Sequence, residues 1–326
     1  MKFRTEIDSS RKGTIAHGDR ILMLGSCFTE SIGQRMLRNK LNVDINPFGE
    51  LYNPLSVAQA LCFLSERRRL SSDDLVKTGN LWSSWLHHGC FSSVSKSETL
   101  TRINERLDQT ESQTPDWLFI TLGTAWVYEL VANGQVVANC HKMPDRLFRR
   151  RLMSVVEGVN ALRHAFKCFR DAYPGVSIVL TVSPVRHLRD GLHGNQVSKA
   201  ALMMLCNEFE TEGEADYFPS YELLIDDLRD YRFYADDLVH PSLSAQNYVW
   251  EKWCEAFLSE QTRQIGQEAE KLLRGMSHRP LSDDHGAYRS FCHTLSQKME
   301  AFQALHPSVD FRDECRQLHE IINTTT

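Results

Sequence analysis

The sequence predicts an α/β protein whose mostly parallel sheet is sandwiched by helices, followed by a helical C-terminal appendage. Three observations carry this expectation. Residues 21–24, 117–122 and 176–182 are almost continuously apolar, the pattern of strands buried on both faces rather than one. Each of these runs gives way to a turn, and helical periodicities alternate with them along the chain, as in layered α/β folds. Beyond about residue 260 the pattern becomes helical and polar throughout.

Residues 1–20 are polar and read as an edge or lead-in segment. Ile21-Leu22-Met23-Leu24 runs into Gly25-Ser26-Cys27, after which Ile32, Met36 and Leu37 share one helical face. Strand, tight turn and helix N-terminus therefore follow one another, with the helix reaching about residue 39. Residues 41–45 alternate as a second strand and enter a loop, 46–54, dense in asparagine, proline and glycine. A helix is expected over 55–69. Residues 70–97, with Trp82, Trp85, His87, His88 and Phe91, read as a β excursion or a lid. A helix covers 100–111, and the strand 116–122 runs into Gly123-Thr124-Ala125-Trp126. Residues 127–138 form a hairpin around Asn133-Gly134, a strong turn signal. A long helix is expected over 151–172, a buried strand over 176–182, a helix over 198–210, a short strand over 217–224, and a helix over 243–259. Pro241-Ser242 marks the entry to that last helix. The appendage, 261–326, has a break around 275–280. The domains expected are therefore 1–260 and 261–326.

Composition narrows the function. The chain has 326 residues, 42% hydrophobic and 24% charged, with a net charge of −5. That balance offers no basic surface for nucleic acid. The short runs Arg67-Arg68-Arg69 and Arg149-Arg150-Arg151 read as solvated helix faces. No apolar run approaches the ~18 residues of a membrane span, and the N-terminus lacks the apolar core of a secretory signal. Nine cysteines are scattered without a C-x-x-C pair, which fits a reduced, cytoplasmic protein rather than a disulfide framework. No histidine or cysteine set has zinc-ligand spacing, so no metal is expected. No glycine-rich phosphate loop follows a strand, so no nucleotide cofactor is expected either.

The polar residues gather at strand ends: Ser26 and Cys27, the loop Asn46 to Asn53, Gly123 to Trp126, and Ser183 to His187. In a parallel sheet these ends lie along one edge, where open α/β proteins place their chemistry. Asp237 and His240 add a carboxylate and an imidazole three residues apart before a helix. That spacing lets the carboxylate hold Nδ1 while Nε2 faces a nucleophile. Ser26 and Cys27 are both candidates for that nucleophile.

These segments, in this order, resemble the GSCFA family. The resemblance rests on Gly25-Ser26-Cys27-Phe28 with Thr29-Glu30-Ser31-Ile32-Gly33, Asn46-Pro47-Phe48-Gly49 through Tyr52-Asn53-Pro54, and Leu122-Gly123-Thr124-Ala125-Trp126. It continues through Asn139-Cys140-His141-Lys142, Ser183-Pro184-Val185-Arg186-His187, Asn195-Gln196 with Ser198-Lys199-Ala200, and Asp237 with His240-Pro241. That family is placed in the SGNH (GDSL-like) hydrolase superfamily. The resemblance implies a three-layer α/β/α, flavodoxin-like fold and an esterase mechanism using a Ser–His–Asp triad. Aligned without gaps, the superfamily's Gly-Asp-Ser block puts Cys27 where the nucleophilic serine would stand. Its Gly-x-Asn-Asp block falls on Gly123-Thr124-Ala125-Trp126, with Ala125 in place of the oxyanion-hole asparagine. Asn53 or Asn139 would have to supply that donor. Gly49 fits the glycine whose backbone N–H joins the oxyanion hole.

The reading that follows is an acyl hydrolase, cleaving an ester or thioester through a covalent acyl-enzyme on Cys27, or on Ser26, with His240 as base and Asp237 as its orienter. A helix N-terminus and the imidazole are expected to lower the Cys27 thiol toward neutrality. Gly49, Asn53, Gly123, Asn139, His141 and His187 are the candidate oxyanion and substrate-binding residues; His87 and His88 read as structural. The expected partner is a small-molecule or glycan-linked acyl substrate. An acyltransferase with the same nucleophile is the alternative, and a catalytically silent binding or scaffold protein is the second; the absent asparagine favours the silent protein. Oligomeric state stays open.

Overall fold

The computed structural model describes residues 4–8, 14–277 and 285–324. The chain divides into two compact units. The first comprises Met1–Ser9, Arg20–Gly33 and Asp44–Lys252; the second comprises Ser10–Asp19, Gln34–Val43 and Trp253–Thr326.

In chain order, β1 (Arg20–Gly25) leads into α1 (Cys27–Arg38), β2 (Asn42–Ile45) and α2 (Pro54–Ser65). The hairpin β3 (Leu75–Thr78) and β4 (Leu81–Ser84) follows, then α3 (Lys96–Glu111) and β5 (Trp117–Leu122). Next come β6 (Trp126–Leu130), β7 (Val136–Val137), β8 (Phe148–Leu152), α4 (Val155–Ala172), β9 (Ser177–Val182), α5 (Gly191–Thr211) and β10 (Asp216–Phe218). A short α6 (Ser220–Glu222) continues as a π-helical turn to Leu228, and α7 (Leu243–Phe257) closes the series. The sheet order is β10-β9-β5-β1-β2, and the pairings β1–β5, β5–β9 and β9–β10 are parallel. Numbered among themselves, these strands run 2-1-3-4-5. That is the flavodoxin-like winding, whose direction switches between the first and third strands.

The apolar runs explain the sheet. Every residue of β1 and β5 is buried. Burying one Leu or Ile side chain is worth about 1.5–3 kcal/mol, which drives these strands to the centre of the sheet, paired there in one register. That register pairs Gly25 with Thr121 and Leu122 with Val182, so β1, β5 and β9 end along one edge. Their helices are set by caps. Asn53 Oδ1 accepts the Ser56 N–H ahead of Pro54 at the start of α2, and Ser154 accepts the Glu157 N–H at the start of α4.

Five expectations need correcting. The helix expected from 151 begins at Val155, because 148–152 form β8, antiparallel to β6. The Arg149-Arg150-Arg151 run is therefore not a helix face. Arg149 and Arg151 both pair with the buried Glu129 on β6, while Arg150 points the other way to Asp190. The strand expected over 217–224 ends at Phe218, and the chain turns helical from Ser220. The helix expected from 198 starts earlier, at Gly191. Leu37, expected to share one helical face with Ile32 and Met36, is 40% exposed while those two are buried.

The second unit has its own core. Ala269 on α8 (Glu260–Met276), Cys292, Leu295, Met299 and Phe302 on α9 (His285–Leu305), and Leu318 on α10 (Arg312–Thr324) pack with Val309 and Phe311. Two N-terminal segments join it. Ile15 bridges Leu258, and the Lys40 ammonium meets the Glu314 carboxylate at 2.7 Å. The break expected at 275–280 coincides with the end of α8; its remainder, from 278, lies outside the described residues. No described helix is long and apolar enough to cross a membrane.

Candidate active site

The turn after β1 determines which of two adjacent side chains meets the histidine. Gly25 has φ +147°, and a Cβ there would lie 2.3 Å from the Thr121 carbonyl oxygen. A side chain has no room at this position, so the strand can end in this turn only with glycine. The Gly25 N–H donates to Asn46 Oδ1 at 2.9 Å. Ser26 then turns inward; it is 1% exposed, and its hydroxyl has no partner among the described residues. Its carbonyl accepts the Thr29 N–H, which starts α1. Cys27 is half-buried, with Sγ 3.8 Å from His240 Nε2.

The loop before α7 supplies the histidine. Asp237 Oδ1 accepts the backbone N–H groups of Val239 and His240, both at 2.9 Å. Its Oδ2 lies 2.7 Å from His240 Nδ1. These bonds, that from the His240 N–H first, hold the Asp237 carboxyl down at about 2. An ionised carboxylate can only accept, so Nδ1 carries a proton, and Nε2 is the ring nitrogen that faces the sulfur. Leu238 at the apex has φ 57°, a left-handed conformation that a branched residue adopts only when its surroundings impose it. Two backbone bonds across the turn impose it: Leu238 N–H to Ala235 O, and Ala235 N–H to His240 O.

The thiol does not follow the sequence expectation. Burial, and then the Glu50 carboxylate, push the Cys27 pKa up. The N–H groups of Cys27 and Phe28 and the charge of Lys199 oppose this and are outweighed. The resting group is a thiol rather than a preformed thiolate.

Lys199, on α5, is fully buried, and its ammonium donates to the Gly123 carbonyl at 2.7 Å and the Ser183 carbonyl at 2.6 Å. It clamps the ends of β5 and β9 beside Cys27. Burial lowers its pKa to about 7. It stands on the helix stripe formed by Asn195, Leu202, Cys206 and Phe209. A lysine on an otherwise buried stripe was the available signal for it, and spacing motifs do not detect that.

A cavity of about 420 Å³ is lined by Cys27, Asn53, His187 and His240 among others. Its walls include Trp126, from the strand end expected at the polar edge, and bring in Arg150 and Arg186. Arg150 stacks over the Trp126 ring at 4.3 Å while paired with Asp190. Two ring nitrogens at this cavity, Trp126 Nε1 and His187 Nε2, are buried without partners among the described residues. Burial, and then Lys199, lower the His187 pKa to about 4, so this ring is neutral.

The expected oxyanion donors fare less well. The Gly49 N–H is spent on the Asn46 carbonyl at 2.7 Å, and the Gly123 N–H on the Tyr52 carbonyl at 2.8 Å. Asn53 lines the cavity, but both ends of its amide serve the cap with Ser56. Ala125 donates its N–H to Ser198 Oγ at 2.8 Å. Asn139 accepts the His141 N–H, and His141 Nε2 lies 2.7 Å from the Ser84 carbonyl; neither residue lines the cavity. His87, read as structural, is buried and stacks on Phe48.

The GSCFA family model matches residues 20–253, and that of the GSCFA domain protein, C-terminal domain, matches 269–324. No curated protein matches the chain. Among solved structures, it is similar to a psychrotrophic esterase from Pseudoalteromonas sp. at 15% identity and TM-score 0.32, covering 73% of this chain and 96% of that one. It is also similar to a carbohydrate esterase family 3 protein from Talaromyces cellulolyticus at 9% identity and TM-score 0.36, covering 77% and 99%. A carbohydrate acetylesterase family member from Sinorhizobium meliloti is similar at 12% identity and TM-score 0.35, covering 76% and 99%.

Proposed function

The chain belongs to the GSCFA family, and from that premise we propose that it is an acyl hydrolase that cleaves an ester or thioester through Cys27. The observation that carries the reading is the row Cys27 Sγ, His240 Nε2, His240 Nδ1, Asp237 Oδ2, with separations of 3.8 and 2.7 Å across its two contacts. His240 takes the thiol proton as Sγ attacks the acyl carbonyl. The carbon–sulfur bond forms, the bond to the alcohol or thiol breaks, and His240 returns the proton to the leaving group. Water then attacks the thioester with His240 again as base. The carboxylic acid leaves and the thiol is restored. Asp237 keeps the imidazole in the reactive tautomer throughout.

The oxyanion requires donors, and those expected from the family pattern are committed elsewhere. His187 Nε2, once its proton sits there, and Trp126 Nε1 are both buried and unpartnered at the cavity and available for that role, together with the N–H groups opening α1. Trp126 and its stacked Arg150 give the cavity a flat wall beside a charge, which suits a small or glycan-linked acyl group. The reading of a catalytically silent protein draws its support from those same committed donors and from Ala125.

The test is mass spectrometry of the intact chain after mixing with acetyl, butyryl and longer thioesters and aryl esters. A stoichiometric acyl adduct on Cys27, absent from Cys27→Ala and turned over by the unaltered chain, is the expected result. An adduct on Ser26 would move the nucleophile. An adduct that forms and passes its acyl group to an added alcohol or amine instead of water would make the protein an acyltransferase. No adduct and no turnover with any acyl donor would leave the silent reading standing.

A further inference from the structure

A second cluster of reactive side chains lies away from Cys27, on the pair α2 and α4. Cys62 projects from α2. His164 and Cys168 stand four residues apart on α4, a spacing that puts them on one helix face. One donor atom from each, two sulfurs and an imidazole nitrogen, all lie within 4.8 Å of one another. Cys168 Sγ and His164 Nε2 are 3.7 Å apart. We propose that Cys62, His164 and Cys168 form a binding site for a single thiophilic divalent cation of the zinc class.

The dimensions fit. Tetrahedral zinc takes thiolates at about 2.3 Å and imidazole at about 2.0–2.1 Å, which separates neighbouring donors by roughly 3.6–3.8 Å. The cysteine–histidine pair on α4 already spans that distance. Cys62 has to close by at most about 1 Å, within reach of a side-chain rotation on a packed helix. Two thiolates would balance the charge of a divalent ion, and such soft ligands select zinc over magnesium or calcium. A second observation points the same way. Gln59, one turn before Cys62 on α2, carries a buried side-chain oxygen with no partner among the described residues. Gln59, Cys62 and His164 line the same cavity, of about 690 Å³. That unpartnered oxygen belongs to the wall of the same cavity, the side from which a fourth donor would have to come. Sequence spacing could not disclose this set, because its ligands come from two helices about a hundred residues apart in the chain.

The test uses the full chain, reduced, stripped with a chelator and dialysed. Zinc is titrated in competition with a chromophoric chelator, and cadmium is added separately to read thiolate-to-metal charge transfer in the ultraviolet. The expected result is one ion per chain, a cadmium band with the intensity of two thiolates, and an affinity that falls more than about 100-fold in Cys62→Ser and in Cys168→Ser. That loss exceeds what removal of an outer-shell partner costs. His164→Asn, at an exposed position where the fold should be insensitive, weakens binding at least about tenfold. Cys27→Ser binds zinc as the unaltered chain does, which separates this site from the Cys27–His240 pair. A reduced chain that binds no zinc, or one whose binding survives the combined loss of Cys62, His164 and Cys168, overturns the proposal. So does oxidation of Cys62 and Cys168 to a disulfide in air with no zinc taken up by the reduced pair. The cadmium signal is read on the unaltered chain, so a variant that fails to fold leaves the test intact.

Discussion

Replacing Lys199 with methionine should flatten the dependence of folding stability on pH. The ammonium is fully buried, and burial lowers its pKa from 10.5 to about 7. The unfolded chain keeps its proton up to the ordinary value, while the folded chain releases it near neutrality. Between those limits the unfolded state binds more protons, so stability rises with pH. At about 1.4 kcal/mol per unit of pKa, the difference amounts to roughly 5 kcal/mol over the whole window, about half of it between pH 7.5 and 9.5. Other groups also titrate in this range, notably the buried Cys206 thiol, which burial pushes far up. Those contributions are common to both proteins and cancel in the comparison. Urea unfolding at several pH values should give the unaltered chain a steeper rise than Lys199→Met by about that amount. The variant should also carry a constant loss of about 1–3 kcal/mol for each of the carbonyls of Gly123 and Ser183 left without its donor. Lys199→Gln, which keeps a neutral donor, should recover part of the constant loss and none of the slope. Parallel curves for the unaltered and methionine chains would refute the reasoning, because they would mean that Lys199 holds its proton in the folded state or reaches solvent.

Alkylation of Cys27 by iodoacetamide should keep accelerating up to and beyond pH 9, since burial and Glu50 hold the thiol above its ordinary value of 9.0; a plateau near pH 6–7 would mean a preformed thiolate–imidazolium pair. If the proposed mechanism holds, Asp237→Asn should slow acyl turnover by on the order of 10²–10⁴ while leaving the thermal transition nearly unchanged, because in that mechanism the carboxylate holds the His240 tautomer. Gly25→Ala should lower stability by more than about 2 kcal/mol in chemical denaturation, since the new Cβ meets the Thr121 carbonyl at 2.3 Å; a neutral result would show that the turn can relax.

The turn Gly25-Ser26-Cys27 and the pair Asp237, His240 were readable in the chain because their chemistry is local. A strand running into a glycine gives a turn at any sheet edge, and an Asp-x-x-His spacing closes on itself within one loop. The parallel sheet was readable for a similar reason: strands buried on both faces need apolar residues at every position. What sequence could not supply was any property that depends on a distant neighbour. Arg149-Arg150-Arg151 looks like a charged helix face until β6 is in place and Glu129 takes two of the three side chains. The Gly49 and Gly123 N–H groups look free until the carbonyls of Asn46 and Tyr52 are found against them.

The sequence by itself determined the α/β class, the edge on which polar residues collect, and the two candidate nucleophiles. Only the tertiary structure decided between their positions. Gly25 is pressed against Thr121, which commits the turn to one conformation, and that conformation buries Ser26 and leaves Cys27 facing His240. It also decided the state of the thiol. Helix N–H groups, visible from sequence, favour the thiolate, but burial and Glu50 outweigh them. The balance is set by the surrounding low-dielectric packing, which no spacing of residues along the chain encodes.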